Sequence, residues 1–147
     1  MSASESIAGA LSMHVVFVMC SHPRYLPVVR ATVGQLAATV GWEETESRAI
    51  VLAVDEALAN VIRHGYHGRA DGRIEFECDA DADGLQFRIR DTGERPDPGA
   101  ICAREVGCDQ IGGLGTHIIR DVMDSVSYQT SPDGNWFTAV KRFRRQV

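Results

Sequence analysis

Glu56, Asn60 and His64 follow one another at i, i+4 and i+8, which on an α-helix turning about 100° per residue sets three polar side chains along one flank. An amide oxygen is a hard, neutral ligand for magnesium, whose sites combine few protein ligands with water and substrate phosphates. A carboxylate one turn earlier is placed to orient or deprotonate a nucleophile beside a γ-phosphate. The pair Glu56 and Asn60 therefore suits nucleotide chemistry, although an amphipathic helix with a solvated edge accounts for the same spacing. His64 precedes Gly65, where an imidazole interacts favourably with a helix C-terminus. Asp55 is the weaker carboxylate, because its direction diverges from that of Asn60 by more than a third of a turn.

Two glycine sites follow. In Asp91-Thr92-Gly93 the carboxylate emerges at the end of an expected strand, where it can accept the exocyclic amine of adenine, and Gly93 permits close backbone approach. Asp-x-Gly is also an ordinary turn. Gly112-Gly113-Leu114-Gly115-Thr116 precedes an expected helix, whose free amides and dipole favour phosphate. No Gly-Lys-Ser/Thr follows, and Ile118 occupies the place of a third glycine, so neither a Walker loop nor a dinucleotide fingerprint is present. A flexible helix entry is the alternative.

The elements that must position these residues can be read along the chain. Residues 1–12 are small, polar and aperiodic, and read as a flexible arm. Residues 14–20 suit a strand and residues 23–40 a helix stopped by Gly41. A second helix is expected from about residue 43 to 64, ended by Gly65, with Ile50, Val51, Val54, Ala57, Leu58, Val61 and Ile62 as its apolar face. Strands follow at 73–78 and 85–90, joined by the acidic loop 79–84. Residues 94–111, with Pro96 and Pro98, read as a mobile loop. A helix over 116–123 and strands over 125–130 and 135–143, around the turn 131–134, complete the pattern. Residues 13–147 are expected to form one domain.

The chain has 147 residues, 44% hydrophobic and 24% charged, with a formal charge of −5. Such a length buries a core without disulfides or a structural metal. The negative charge offers no general attraction to nucleic acid or anionic membrane. The basic cluster Lys141, Arg142, Arg144 and Arg145 reads as the solvated end of a strand, or else as a docking or phosphate-binding patch. Cys20, Cys78, Cys102 and Cys108 lack zinc-site spacing and are expected to be reduced thiols. No signal peptide and no run of about 20 apolar residues is found, so a cytoplasmic location is expected.

The order of the motifs resembles the GHKL superfamily of ATP-binding domains, shared by DNA gyrase, a heat-shock chaperone, histidine kinases and mismatch-repair ATPases. Residues 55–66, Asp-Glu-Ala-Leu-Ala-Asn-Val-Ile-Arg-His-Gly-Tyr, are similar to the N-box. Asp91-Thr92-Gly93 resembles the first glycine box and Gly112-Gly113-Leu114-Gly115 the second. The likeness is greatest to the free-standing anti-sigma factor serine/threonine kinases of bacterial partner-switching systems. It implies an α/β (α+β) two-layer sandwich, a mixed or antiparallel sheet with helices on one face, and residues 94–111 as a lid over ATP. It further implies Glu56 as general base, Asn60 as ligand of Mg2+, Asp91 as the adenine contact, and Gly113 and Gly115 as phosphate-loop glycines. His64, Gly93, Gly112, Leu114 and Thr116 join the expected nucleotide-binding set.

By the same resemblance, the γ-phosphate goes to a serine of a small anti-sigma antagonist protein, a sigma factor or similar client is sequestered, and the kinase is a homodimer. Arg95 stands where the first glycine box often has a second glycine, and Thr116 and His117 replace large apolar residues. Two other readings compete: a non-catalytic nucleotide-binding interaction module, and a detached histidine-kinase catalytic domain. The second is disfavoured because no dimerisation and phosphoacceptor helix is read before residue 14.

Overall fold

The computed structural model describes residues 12–94 and 113–144, with the side chains of 113–116 outside the description. The expected arm 1–12 thus falls outside it except for exposed Ser12, and the expected lid 94–111 except for Glu94. Strand β1 (Met13–Cys20) leads through a 3-10 turn (Pro23–Tyr25) into helix α1 (Leu26–Val40), and helix α2 (Glu44–Asn60) continues as a π-helical turn (Val61–Gly65). Strands β2 (Arg73–Asp81) and β3 (Gly84–Asp91), helix α3 (Gly113–Val122), and strands β4 (Ser125–Ser131) and β5 (Gly134–Arg142) follow.

The five strands form one sheet in the order β1-β2-β3-β5-β4, with antiparallel pairing throughout. Period-2 alternation decides which face is dry. Ile74, Phe76, Cys78 and Ala80 of β2 and Leu85, Phe87 and Ile89 of β3 are buried. They meet Leu26, Val29, Val33 and Leu36 of α1 and Ile50, Val54, Ala57 and Leu58 of α2 in a single core. Burying Phe76 or Phe87 alone contributes about 1.5–3 kcal/mol. Glu75, between Arg73 and Arg90, and Glu77, with Arg88, mark the wet opposite face. The result is a two-layer α+β sandwich.

Three local expectations are corrected. The hairpin 79–84 is tighter than a six-residue loop: Asp79 pairs with Gln86 and Asp81 with Gly84, because Asp81 Oδ1 accepts from the amides of Asp83 and Gly84 and closes the turn. Gly41 does close α1 in the left-handed region (φ 112°), but Gly65 does not end α2 that way. There the chain widens into a π turn, with Tyr66 N donating to Val61 O at 3.1 Å, and the left-handed residues are His67 (φ 53°) and Gly68 (φ 77°). Helix α3 begins at Gly113 rather than at 116.

The segment after the π turn is held by a few specific contacts. Ser21, fully buried, accepts from Gly72 N at 2.9 Å and donates to Arg69 O, tying the end of β1 to the start of β2. The Tyr66 ring lies on Gly72 so closely that a Cβ there would stand 2.4 Å from ring carbons. Gly72→Ala must push the ring aside. Destabilisation of about 1–3 kcal/mol is expected, read as a lower denaturant midpoint at unchanged slope.

Candidate functional site

Strand alternation carries Asp91 inward. Leu85, Phe87 and Ile89 occupy the dry phase of β3, and Asp91 is the next residue in that phase, only 4% exposed. In cross-strand register its row reads Ile74, Asp91, Asn135. Asn135, 1% exposed, donates through Nδ2 to Asp91 Oδ1 at 3.0 Å and to Gly93 O at 3.2 Å. Both partners are acceptors, which fixes the amide orientation and leaves Asn135 Oδ1 buried with no hydrogen-bond partner. Gly93 N donates to the same Asp91 oxygen at 2.9 Å. Burial raises the pKa of the Asp91 carboxyl above its ordinary value, and the Asn135 and Gly93 donors pull the other way without reversing it. Among the described residues Asp91 Oδ2 makes no hydrogen bond, so it is the oxygen left to a ligand's N–H.

The end of the N-box segment closes on this row. Glu94 N donates to Gly65 O at 2.7 Å, and a Cβ on Gly93 would stand 2.6 Å from that same carbonyl oxygen. Gly93 is therefore required by backbone crossing backbone, the close approach expected of it being to Gly65. A Cβ on Gly65 would in turn lie 3.5 Å from Asp91 Oδ1. Tyr66, 6% exposed, accepts from Thr92 N at 2.9 Å and donates to Arg73 O, so one hydroxyl spans the starts and ends of neighbouring strands. His67 pairs with Glu94 at the surface.

Glu56 and Asn60 lie half-buried on α2, and His64 is exposed on the π turn, so the polar flank is partly sheltered and opens to solvent at its far end. Among the described residues no side-chain hydrogen bond engages Glu56 or Asn60. Asp55 instead bonds Arg30 of α1 at 2.7 Å, which removes it from the candidate carboxylates. π turns are rare and concentrate at functional sites, and this one carries the chain from Asn60 to the Asp91 row within five residues.

Helix α3 packs along α2. Its last residue is fixed by Lys141, whose Nζ donates to Val122 O at 3.0 Å and lies 3.7 Å from Glu46, near the start of α2. Lys141 belongs to the row of Leu85, at the opposite end of the sheet from Asp91. With its C-terminus held there, α3 directs its Gly113 end toward the Asn60 end of α2. Gly113, Leu114, Gly115 and Thr116 form the first turn of α3, whose leading amides have no intrahelical acceptor. Gly112 lies outside the described residues. A groove of about 380 Å³ between Gly34, Ala38, Trp42 and Val51 sits at the other pole and is not part of this arrangement.

One end of the domain thus carries the buried Asp91, the half-buried Asn60 and Glu56 and the N-terminus of α3, groups whose chemistry can meet a base and phosphates. Asn135, Tyr66 and Gly65 support that end and were not among the site residues expected from the sequence. Asn135 had one legible signal, a polar residue in the dry phase of a strand otherwise marked by Phe137 and Ala139. Cys78, buried, has its thiol pushed up to about 12 by desolvation and by Asp79, and is chemically inert. No helix of the described residues is long and apolar enough to cross a membrane.

Comparison with known proteins agrees with this architecture. The serine-protein kinase RsbW of Listeria innocua is 30% identical over 125 residues, 78% of this chain and 80% of its own. The protein of the same name from Bacillus subtilis is 26% identical over 118 residues, 74% of this chain and 73% of its own. The histidine kinase domain of a blue-light activated histidine kinase from Erythrobacter litoralis matches in fold, with a TM-score of 0.54 at 17% identity over 81% of this chain. This chain spans 59% of that domain. The family model described as histidine kinase-like ATPase domain matches residues 19–141, from the end of β1 through α2, Asp91 and α3 into β5, and the chain belongs to that family.

Proposed function

We propose that this protein binds ATP with Mg2+ and acts as a serine/threonine protein kinase, transferring the γ-phosphate to a serine of a small antagonist protein. A sigma factor or similar client is its second partner, bound stoichiometrically. The observation that carries this reading is the pairing of Glu56 and Asn60 on one sheltered flank of a helix that runs out against Asp91. Relatives bearing the name serine-protein kinase support it over most of the chain. A cytoplasmic, homodimeric protein is part of the same proposal.

Each residue then has a task its surroundings suit. Asp91, with one oxygen occupied by Asn135 and Gly93, accepts the exocyclic amine of adenine through the other. The first-turn amides of α3 around Gly113 and Gly115 receive phosphate oxygens. Asn60, half-buried and without a side-chain partner among the described residues, fits a magnesium ion that keeps water and phosphate oxygens as its other ligands. Bound there, the ion would neutralise charge on the β- and γ-phosphates. Glu56, one turn earlier, orients the incoming serine hydroxyl and accepts its proton as the phosphoryl group moves. His64 is exposed at the end of the flank.

Glu56→Gln separates binding from transfer. ATP affinity should stay within about threefold of wild type while phosphorylation of the antagonist encoded beside this protein falls by about 10²–10⁴. Failure of the wild type to label any such partner would assign the chain to the non-catalytic binding modules, whereas undiminished transfer in the variant would remove Glu56 from the role of general base.

Asp91→Asn gives an independent check. Because the folded-state pKa of Asp91 is raised, the carboxyl contributes most to stability below the ordinary carboxylate range, and that contribution is lost as pH rises through the folded pKa. An uncharged isostere escapes this loss and can still accept from Asn135 and Gly93. The variant is expected to unfold at a higher denaturant concentration than wild type at pH 7, yet to bind ATP at least about 100-fold more weakly, since the acceptor facing the base becomes a donor. Equal ATP affinity in calorimetry would remove Asp91 from the base site.

A further inference from the structure

Lys141 lies in the basic C-terminal cluster that the sequence leaves as either a solvated strand end or a docking patch, and its surroundings are neither. Its side chain is 17% exposed, and its ammonium group sits at a junction of four elements. Nζ donates to Val122 O at the C-terminus of α3, lies 3.7 Å from Glu46 in the first turn of α2, and stands 5.5 Å from the centre of the Trp42 ring that follows α1. Trp42 stacks on Phe143 at 3.9 Å, so the ring is itself fixed to the end of β5. A cation at a helix C-terminus also opposes the negative end of the helix dipole.

Ile119, Val122 and Met123 pack this end of α3 on the core, and the other hydrogen bonds that tie it to β5, among the described residues, are made by Asp124, two residues past it. Asp124 N donates to Val140 O at 2.8 Å, and Asp124 Oδ2 accepts from Arg142 N at 2.7 Å. Lys141 is the side chain that grips the last carbonyl of the helix while touching α2. Helix α3 has ten residues, about 15 Å of rigid rod. Its far end carries Gly113 and Gly115, and the far end of α2 carries Asn60. A change of angle at the Lys141 junction is therefore read out as a displacement between the amides of Gly113–Gly115 and the amide of Asn60.

We propose that Lys141 is a positioning residue for the phosphate half of the nucleotide site: by pinning the C-terminus of α3 to the start of α2, it sets where the glycine turn stands relative to Asn60. The inference rests on the nucleotide reading of Gly113, Gly115 and Asn60 given above. It separates the two halves of the ligand, because the base contact at Asp91 is built on β3 and β5 and does not pass through α3.

That separation is the test. Titration calorimetry would compare Mg·ATP and adenosine on wild type, Lys141→Met, which keeps the aliphatic stem over Trp42, and Lys141→Arg, which keeps the charge and the donor. Lys141→Met is expected to weaken ATP by about tenfold, with adenosine within about twofold and ATP affinity restored in Lys141→Arg. Equal losses for ATP and adenosine would show a merely structural lysine, and unchanged ATP affinity would show no positioning role; either result overturns the proposal. Lys141→Gln is read by the same comparison should Lys141→Met not fold. Wild-type protein that binds no ATP would defeat the nucleotide reading itself, a result distinct from both.

Discussion

A carboxylate that strand alternation drives into a protein interior must find donors, and much of this domain's functional end is organised around satisfying one such group. Asp91 follows Leu85, Phe87 and Ile89 in the dry phase of β3, so its burial is imposed by the same periodicity that builds the core. Asn135 and Gly93 supply the donors, both to one oxygen. On the proposed reading the remaining oxygen is the one left for the base, because an acceptor in a largely enclosed site discriminates strongly for a ligand that donates. Burial shifts the carboxyl toward its neutral form, and the two donors limit that shift. The position therefore costs stability near neutral pH, as functional sites often do.

The second constraint is steric. Gly65 and Gly93 let the N-box segment and the strand end cross with a carbonyl where a methyl would otherwise stand, and Tyr66 locks the crossing through Thr92 and Arg73. The π turn supplies the extra residue that brings Gly65 to the crossing. Asn60 lies just before that turn and Asp91 just beyond the crossing, so the residues assigned to the metal and to the base belong to one continuous, tightly packed junction. At the opposite pole Lys141, Glu46, Trp42 and Phe143 form a separate junction that fixes the third element, α3. Two rigid ends joined by two packed helices are a frame in which phosphates and base can be held independently.

Much of this was legible in the sequence. Composition and hydrophobic periodicity determined the number and order of strands and helices, because period 2 and period 3.6 report directly on which side chains must leave water. Motif order pointed to the family, and the spacing of Glu56 and Asn60 placed both on one flank of α2. Asp55 was the weaker carboxylate on direction alone, and its pairing with Arg30 removes it. Gly41 was read correctly as a helix stop because a left-handed residue after a periodic run is a local signal.

Tertiary structure decided what depends on residues far apart in the chain. Gly65 reads as a helix cap, yet it serves a crossing with Gly93, 28 positions later, which no local pattern encodes. Asn135 acquires its part from cross-strand register with Asp91, and register follows from how β3 and β5 pair rather than from either strand alone. Lys141 belongs by sequence to a basic tail, and only the packing of α3 against α2 turns it inward. Types and spacings along the chain specify which groups exist and which element bears them. Their neighbours, and so their chemistry, are set by contacts between elements, where packing, not local preference, chooses the partner.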